Sequence, residues 1–484
     1  MELMVRLVSI TLDDFKNTKH GEVRLSSWSN GEPFPAADVV GLYGQNGSGK
    51  TSIIQAISLF KLLVTGRKID EVVSDCVSKE TGNSAITTKG VLFLSDGTAI
   101  AEFSYAVSLL IANGIPRICG ETLRYKDLRT SRSKPKTLFE YELSDSSGRI
   151  VISPKQKWAS LLALDNSAQF DAQLAWRMAE ENCRSLLFSY EFQKVLSSLS
   201  GAEENSAKQI SDTARLSIAS VLKPLRMVVT SLSLFGFTNM AVVSAAQQAD
   251  GMANRLHIST HEGENGIFAD NEFDVNIAKP TDLSDKEFDI LKRTICSISP
   301  VIGSLIPGLA LGVEELDRHF GDNGSVEVRA ELVCTRGNTT IPLRCESEGI
   351  KKLVSVLVLL IDVYAKPGSC VAIDEFDSGV FEFLLGEILQ VLKDHGKGQL
   401  IFTAHNLRPL EIVDDGSLIF TTANPSNRYV SFKRSKDGIN LRNQYLRAIN
   451  LGGQPEVIYS PTSKFDIDSA FYEAGLASTG DLDE

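Results

Sequence analysis

The chain has 484 residues, 43% hydrophobic and 23% charged, with a net charge of −12 and a pI near 5.2. This is an ordinary composition for a soluble globular protein, long enough for two or three domains around a large core. The acidic balance excludes a protein that coats DNA over its whole surface, but not one with a local basic patch.

Residues 4 to 11 (MVRLVSIT) are β-branched and apolar and predict a strand, with a turn and a second strand in LDDFKNTKHGEVRL. Val39 to Leu42 predicts a third strand, which feeds Gly44-Gln45-Asn46-Gly47-Ser48-Gly49-Lys50-Thr51. A helix follows to about Leu63, with Ser52, Ile53, Ile54 and Ile57 in its first turns. This is G-x-x-x-x-G-K-[ST] between a strand and a helix, the context that makes the pattern a phosphate-binding loop. Its glycines let backbone N–H groups curl inward, and the helix N-terminus adds positive potential toward the β- and γ-phosphates of ATP. Lys50 adds a point charge, and the Thr51 hydroxyl is placed to ligate Mg²⁺.

Residues 70 to 88 are polar and predict a loop. Val91 to Leu94, Ala99 to Val107 and Leu138 to Leu143 predict strands of an antiparallel sheet, with hairpin material at Ser95-Asp96-Gly97 and Ser146-Ser147-Gly148. Between two of these strands lies RYKDLRTSRSKPK, residues 124 to 136, a basic stretch that reads first as a solvated hairpin tip and second as a nucleic-acid or partner contact. From about 155 to 300 apolar residues recur at helical spacing, and this segment is expected to be a helical insertion. Within it, 246 to 272 is polar and Gly-rich and predicts a loop. His257-x-x-x-His261-Glu262 there has no third-ligand spacing and is not expected to bind metal. Ser284 or Asp285 caps a further helix. Val326 to Val333 alternates as a strand with one wet face, and Thr339 to Leu343 follows it. Ile350 to Tyr364 predicts an apolar helix, Cys370 to Ile373 a buried strand, Val380 to Leu392 a helix and Gln399 onward another strand. Short strands at 417 to 421 and 428 to 432 precede a polar, acidic tail.

A phosphate loop needs an acid for the metal and a group to activate water. The strand Cys370 to Ile373 delivers both at its C-terminal edge, where ligands sit in open α/β sheets. Asp374 is expected beside Mg²⁺, and Glu375 is expected to polarise the attacking water as general base. Lys50 and Asp374 lie far apart along the chain, so the site is expected to be assembled from its two ends.

The set formed by Leu12-Asp13-Asp14-Phe15-Lys16, GQNGSGKTS, SEG before an apolar helix, IDEFDSG and TAHN resembles the ABC-type ATPases of the SMC and RecF group. The resemblance is closer to their compact branch, the AAA-type ATPases of the OLD, AbiL and PARIS (AriA) anti-phage systems, and covers roughly residues 1 to 110 and 320 to 450. The resemblance implies a P-loop ABC-type α/β head, with a mixed sheet, an antiparallel β subdomain and a helical insertion. Residues 1–150 and 311–484 would form its two lobes, with 151–310 as the insertion. It implies nucleotide contacts from Gly44 through Ser52, Phe376 to Gly379 as a D-loop, and His405 as the switch histidine on the γ-phosphate. Ser347 and Gly349 stand where the signature serine and glycine face the nucleotide of a second subunit, although Cys345-Glu346-Ser347-Glu348-Gly349 departs from L-S-G-G-[QE]. The Mg²⁺-bridging glutamine of the family has no assigned counterpart.

The resemblance also implies an ATP- and Mg²⁺-dependent homodimer or higher homo-oligomer that senses a trigger, DNA or a phage protein, and controls a separate effector. No Toprim pattern follows His405, so a Toprim-type nuclease would be another chain. The alternative is an SMC/RecF-like DNA-repair ATPase. Against it stand the acidic charge and the lack of a long heptad coiled coil or zinc hook. A metabolic kinase is disfavoured by the wide motif separation. Seven cysteines without a C-x-x-C pair predict neither a zinc ribbon nor a disulfide framework. The N-terminus lacks the basic-then-apolar order of a signal peptide, and the longest apolar run, Leu353 to Val363, is too short to span a bilayer. The expectation is a cytoplasmic, reduced protein with no membrane partner.

Overall fold

The computed structural model describes residues 3–29, 36–69, 71–130, 132–142, 150–205, 212–244, 255–264, 267–321, 324–432, 440–452, 454–459 and 462–479. Its centre is a sheet of five parallel strands with one antiparallel edge. The strands are β3 (Asp38–Tyr43), β8 (Met240–Val243), β15 (Cys370–Ile373), β16 (Gln399–Thr403), β17 (Leu418–Thr421) and β18 (Tyr429–Ser431), in the order β18-β17-β3-β16-β15-β8. Both faces are covered, so the strands are apolar at nearly every position. Val40, Leu42, Cys370, Ala372 and Ile401 point into one core, whereas Val39, Tyr43, Val371, Ile373, Leu400 and Phe402 point into the other.

The first core is filled by the helix Lys50–Val64, which buries Ile53, Ile54, Ile57, Phe60, Leu63 and Val64 at helical spacing. Beyond it lies an antiparallel sheet of β1 (Leu3–Phe15), β2 (Thr18–Arg24), β4 (Asn83–Leu94), β5 (Ala99–Ala112), β6 (Ile115–Asp127) and β7 (Lys136–Glu142), ordered β2-β1-β4-β5-β6-β7. The second core takes the helices Asp285–Leu305, Glu348–Ala365 and Glu382–His395. It also takes a smaller sheet of β11 (Thr281–Ser284), β12 (Leu309–Phe320), β13 (Val326–Arg336) and β14 (Thr339–Pro342). The architecture is that of a P-loop ABC-type head with an antiparallel β subdomain.

Two buried polar side chains lock the sheets together. Arg6 of β1 pairs with Asp38 of β3 at 2.8 Å and donates to the carbonyls of Pro367, Lys397, Ala36 and Gly398. Burial lowers its pKa, and Asp38 opposes that shift. Gln399 pairs its amide with Leu7 N and O, at 2.9 and 2.8 Å, where the β1–β4 register shifts.

The middle segment differs from a purely helical insertion. The helices Lys155–Leu162, Ala168–Glu181, Tyr190–Asn205, Asp212–Ser217 and Lys223–Thr238 are present. However, β8 then joins the central sheet beside β15, and β9 (Arg255–Glu264) pairs with β10 (Ile267–Asn276) where a loop is expected. Four residues are too few for β8 to display a period, and only its neighbours make it a strand. The side chains of His257, His261 and Glu262 lie outside the described residues. Arg215–Thr238 is long and apolar enough to cross a membrane, but its Leu225, Val228, Val229, Leu232 and Phe235 are packed in the first core. β4 starts at Asn83, inside the expected loop, because its inward positions there include Ser84 and Thr88, which carry no apolar signal. β6 and β12 have no counterpart among the expected strands; Arg124 and Lys126 sit on β6 and not at a hairpin tip. Ser284 caps its helix through a capping box with Glu287. Where a polar tail is expected, the helices Leu441–Leu451 and Lys464–Thr479 form.

Candidate functional site

The loop after β3 is shaped by its glycines and pinned from two sides. A Cβ on Gly44 would lie 1.7 Å from Thr421 Oγ1, so only glycine fits beside β17. Gly47 and Gly49 hold φ of +75° and +98°, a region other residues adopt only with strain. Ser48 Oγ bonds to Gln45 O and Thr421 Oγ1, both at 2.5 Å. Tyr429 Oη of β18 donates to Gly49 O at 2.8 Å, and Asn17 Nδ2 in the β1–β2 turn donates to Gly47 O. Lys50 is only 7% exposed and folds over the loop, donating to Gly44 O at 2.7 Å and Gln45 O at 3.1 Å. Burial lowers the pKa of its ammonium, while Asp374, Glu375 and Asp377 act to raise it.

Asp374 follows β15 and is 1% exposed. Its Oδ1 accepts from Thr403 Oγ1 at 2.5 Å and lies 3.4 Å from Thr51 Oγ1. The same Thr403 Oγ1 accepts from Glu375 N at 2.8 Å, so one β16 hydroxyl holds the carboxylate of Asp374 and the backbone of Glu375. Thr51 and Asp374 put two hard oxygens side by side. Neighbouring ligands of an octahedral Mg²⁺, each about 2.1 Å from the ion, are roughly 3 Å apart, so this pair fits that cation. Asp374 N donates to Val243 O at 2.8 Å, which brings the end of β8 to the site. The next residues, 245–254, lie outside those described.

Glu375 is exposed, with a left-handed φ of +48°. Its carbonyl accepts from Lys352 Nζ, on the helix Glu348–Ala365. Burial lowers the Lys352 pKa, opposed by Asp377, Glu375 and Asp374. Asp377 Oδ2 accepts from His405 N at 2.8 Å and Asn406 N at 2.7 Å, fixing the backbone at His405.

Lys50, Thr51, Asp374, Glu375, Thr403 and His405 line one cavity of about 530 Å³, with Lys16, Asn17 and Asp75 among its other lining residues. Asn46, Gly47, Gly49 and Ser52 also line it, whereas Gly44, Gln45 and Ser48 act from behind as loop-shaping residues. Ser347 and Gly349 do not reach it within one chain. The exposed Ser347 caps its own helix, accepting from Ile350 N at 3.4 Å, and a Cβ on Gly349 would meet Gly379 O at 1.9 Å.

Thr403, Thr421, Tyr429, Asn17 and Asp75 are site residues that the sequence reading did not assign. Thr403 had a signal, since it ends the strand two residues before His405. Tyr429 and Asn17 had none, because each reaches the loop only through the fold.

The arrangement can cradle a polyphosphate, hold a hard divalent cation and present a second carboxylate, Glu375, at the same cavity. No family model and no curated protein matches the chain. Among solved structures it is similar to the Smc head domain of Pyrococcus furiosus, crystallised with the C-terminal domain of ScpA, at 12% identity and a TM-score of 0.39 over 89% of this chain and 97% of that one. The SMC head domain of Thermotoga maritima matches at 16% identity and a TM-score of 0.38 over 89% and 100%. The Smc head of Pyrococcus yayanosii, with its coiled coil and joint, matches at 11% and 0.40 over 92% and 99%. Likeness at this level speaks to neither partner nor substrate; the assignment of the fold rests on the strand order and the P-loop.

Proposed function

We propose that this chain is an ABC-type ATPase that binds and hydrolyses ATP with Mg²⁺ and assembles with further copies of itself around the nucleotide. In this reading it acts as a sensor or scaffold for a separate effector, a Toprim-type nuclease, in anti-phage defence. The observation that carries the ATPase reading is the meeting of Lys50 and Thr51 with Asp374 and Glu375, from opposite ends of the chain, at one cavity. The loop N–H groups and Lys50 hold the β- and γ-phosphates. Thr51 and Asp374 would hold Mg²⁺, which would offset charge on the phosphates. Glu375 takes the proton of the attacking water, with His405 at the γ-phosphate. Ser347 and Gly349, away from the cavity of their own chain, serve the nucleotide of a second copy. The effector role rests on the motif resemblance.

The DNA-repair reading is the weaker one. In the basic stretch, Lys126 pairs with Glu102 at 3.0 Å and Arg129 with Asp127 at 2.8 Å, so neighbouring acids offset part of its charge. The deciding experiment is Glu375→Gln, assayed for phosphate release and, by light scattering, for association with ATP. Retained binding, blocked turnover and a trapped oligomer are expected; turnover at the wild-type rate would remove Glu375 as the base. Ser347→Arg is expected to abolish ATP-dependent association while leaving nucleotide binding to the monomer intact. Equal loss of both would refute the trans contact.

A further inference from the structure

We propose that Lys352 is a positioning residue that ties the conformation of Glu375 to the helix carrying Ser347, so that hydrolysis depends on where that helix sits. The inference rests on the reading of Glu375 as the base. Glu375 is a non-glycine residue at φ +48°, a strained conformation that persists only when its surroundings enforce it. Both sides of the residue are held. Its N–H donates to Thr403 Oγ1 of β16 at 2.8 Å, and its carbonyl accepts from Lys352 Nζ. The first hold comes from the rigid central sheet. The second comes from a different element, the helix Glu348–Ala365, five residues beyond its Ser347 cap.

A second contact makes this link stiff. Gly349, in the first turn of the same helix, lies backbone to backbone against Gly379, in the turn that follows Glu375. A single added methyl would sit 1.9 Å from Gly379 O, so the helix start and the turn have no slack between them. Lys352 and Gly349 thus grip the Glu375–Gly379 turn at both ends. A shift of the helix start toward or away from a neighbour at Ser347 pulls on the Glu375 carbonyl and rotates its exposed carboxylate relative to the γ-phosphate position. A displacement of about 1 Å at a reacting group is worth up to a hundredfold in rate. The ground-state grip on the phosphates, made by the loop and Lys50, does not pass through Lys352.

The experiment compares Lys352→Met, which keeps the stem and removes the donor, with Lys352→Arg, which restores one. Phosphate release gives kcat and KM, and titration with a fluorescent ATP analogue gives affinity. K352M is expected to lose tenfold or more in kcat with affinity unchanged within about twofold, and K352R to recover most of the rate. Wild-type kcat in K352M, or an affinity loss as large as the rate loss, overturns the proposal. Should K352M not fold, Lys352→Gln, too short to reach the carbonyl, gives the same split. If E375Q itself turns over normally, the reading of Glu375 fails; if E375Q is dead and K352M is normal, only the coupling fails.

Discussion

Two carboxylates in this molecule are equally buried and differently used. Glu121, on β6 of the antiparallel sheet, and Asp374, at the end of β15, are each 1% exposed. Glu121 accepts from Tyr105 Oη, Ser185 Oγ and Leu186 N, each at 2.6 Å, and from Tyr141 Oη at 3.2 Å. Its donors come from β5, β7 and the segment 185–186, so the acid staples the helical segment to the sheet. Asp374 faces a cavity that it shares with Lys50 and the hydroxyls of Thr51 and Thr403. A buried acid enclosed by its own chain's donors holds the fold; a buried acid that opens on a cavity beside a lysine is arranged for something from outside.

The largest effects should separate the two by kind. Lys50→Ala is expected to weaken ATP binding at least a hundredfold, about 2.7 kcal/mol, with the thermal midpoint nearly unchanged. Titration with a fluorescent ATP analogue, with calorimetry alongside, reads both. If K50A unfolds the protein, the cavity is part of the scaffold and the contrast is broken. Glu121→Ala is expected to do the reverse. Stranding two tyrosine hydroxyls, a serine and an amide should cost about 3 kcal/mol in denaturant unfolding, with nucleotide affinity intact in the folded protein.

A smaller effect sharpens the same contrast through pH. Desolvation raises the Glu121 pKa above the ordinary 4.5, against the opposing pull of its hydrogen bonds. The folded state therefore binds this proton more tightly than the unfolded state does. Its contribution to stability is fully present below pH 4.5 and is lost as pH rises through the folded-state value. Glu121→Gln should flatten that decline in denaturation midpoints measured from pH 4.5 to 8; an unchanged slope would show that the carboxyl is already ionised across the range.

The same two acids show what the sequence could reveal. Asp374 was legible because an apolar four-residue strand ending in two acids is unusual, and because GQNGSGKTS named the chemistry it had to serve. The strands β3, β15 and β16 were legible as short apolar runs, and the helices after β3 and before β15 by their period of 3.6, whereas the order of the strands in the sheet was not. Glu121 was invisible, since one acid in ICGETLRY looks like the wet face of a strand and its partners lie on β5, on β7 and at 185–186. β8 was lost in the same way: Met240–Val243 becomes a central strand only through its neighbour β15. Local patterns record periodicity and motif, whereas Glu121, β8 and Lys352 owe their roles to contacts between distant segments.

Tyr429 belongs to both regions and provides the finest test. Its ring sits in the core beneath the antiparallel sheet, where a Cβ on Gly21 would come within 2.4 Å of it. Its hydroxyl donates to Gly49 O, at the point where the phosphate loop enters its helix. Tyr429→Phe keeps the ring and removes that one bond. If the bond served the fold alone, stability would fall by about 1 kcal/mol and catalysis would not change. Gly49 precedes Lys50, however, and its φ of +98° sets the direction of the N–H groups around the phosphates. Freeing the Gly49 carbonyl should therefore loosen the cradle as well, and the expected result is a roughly threefold rise in KM for ATP with kcat unchanged. A KM equal to wild type alongside the stability loss would assign Tyr429 to the scaffold, with Glu121, and narrow the phosphate site to the loop and the two acids.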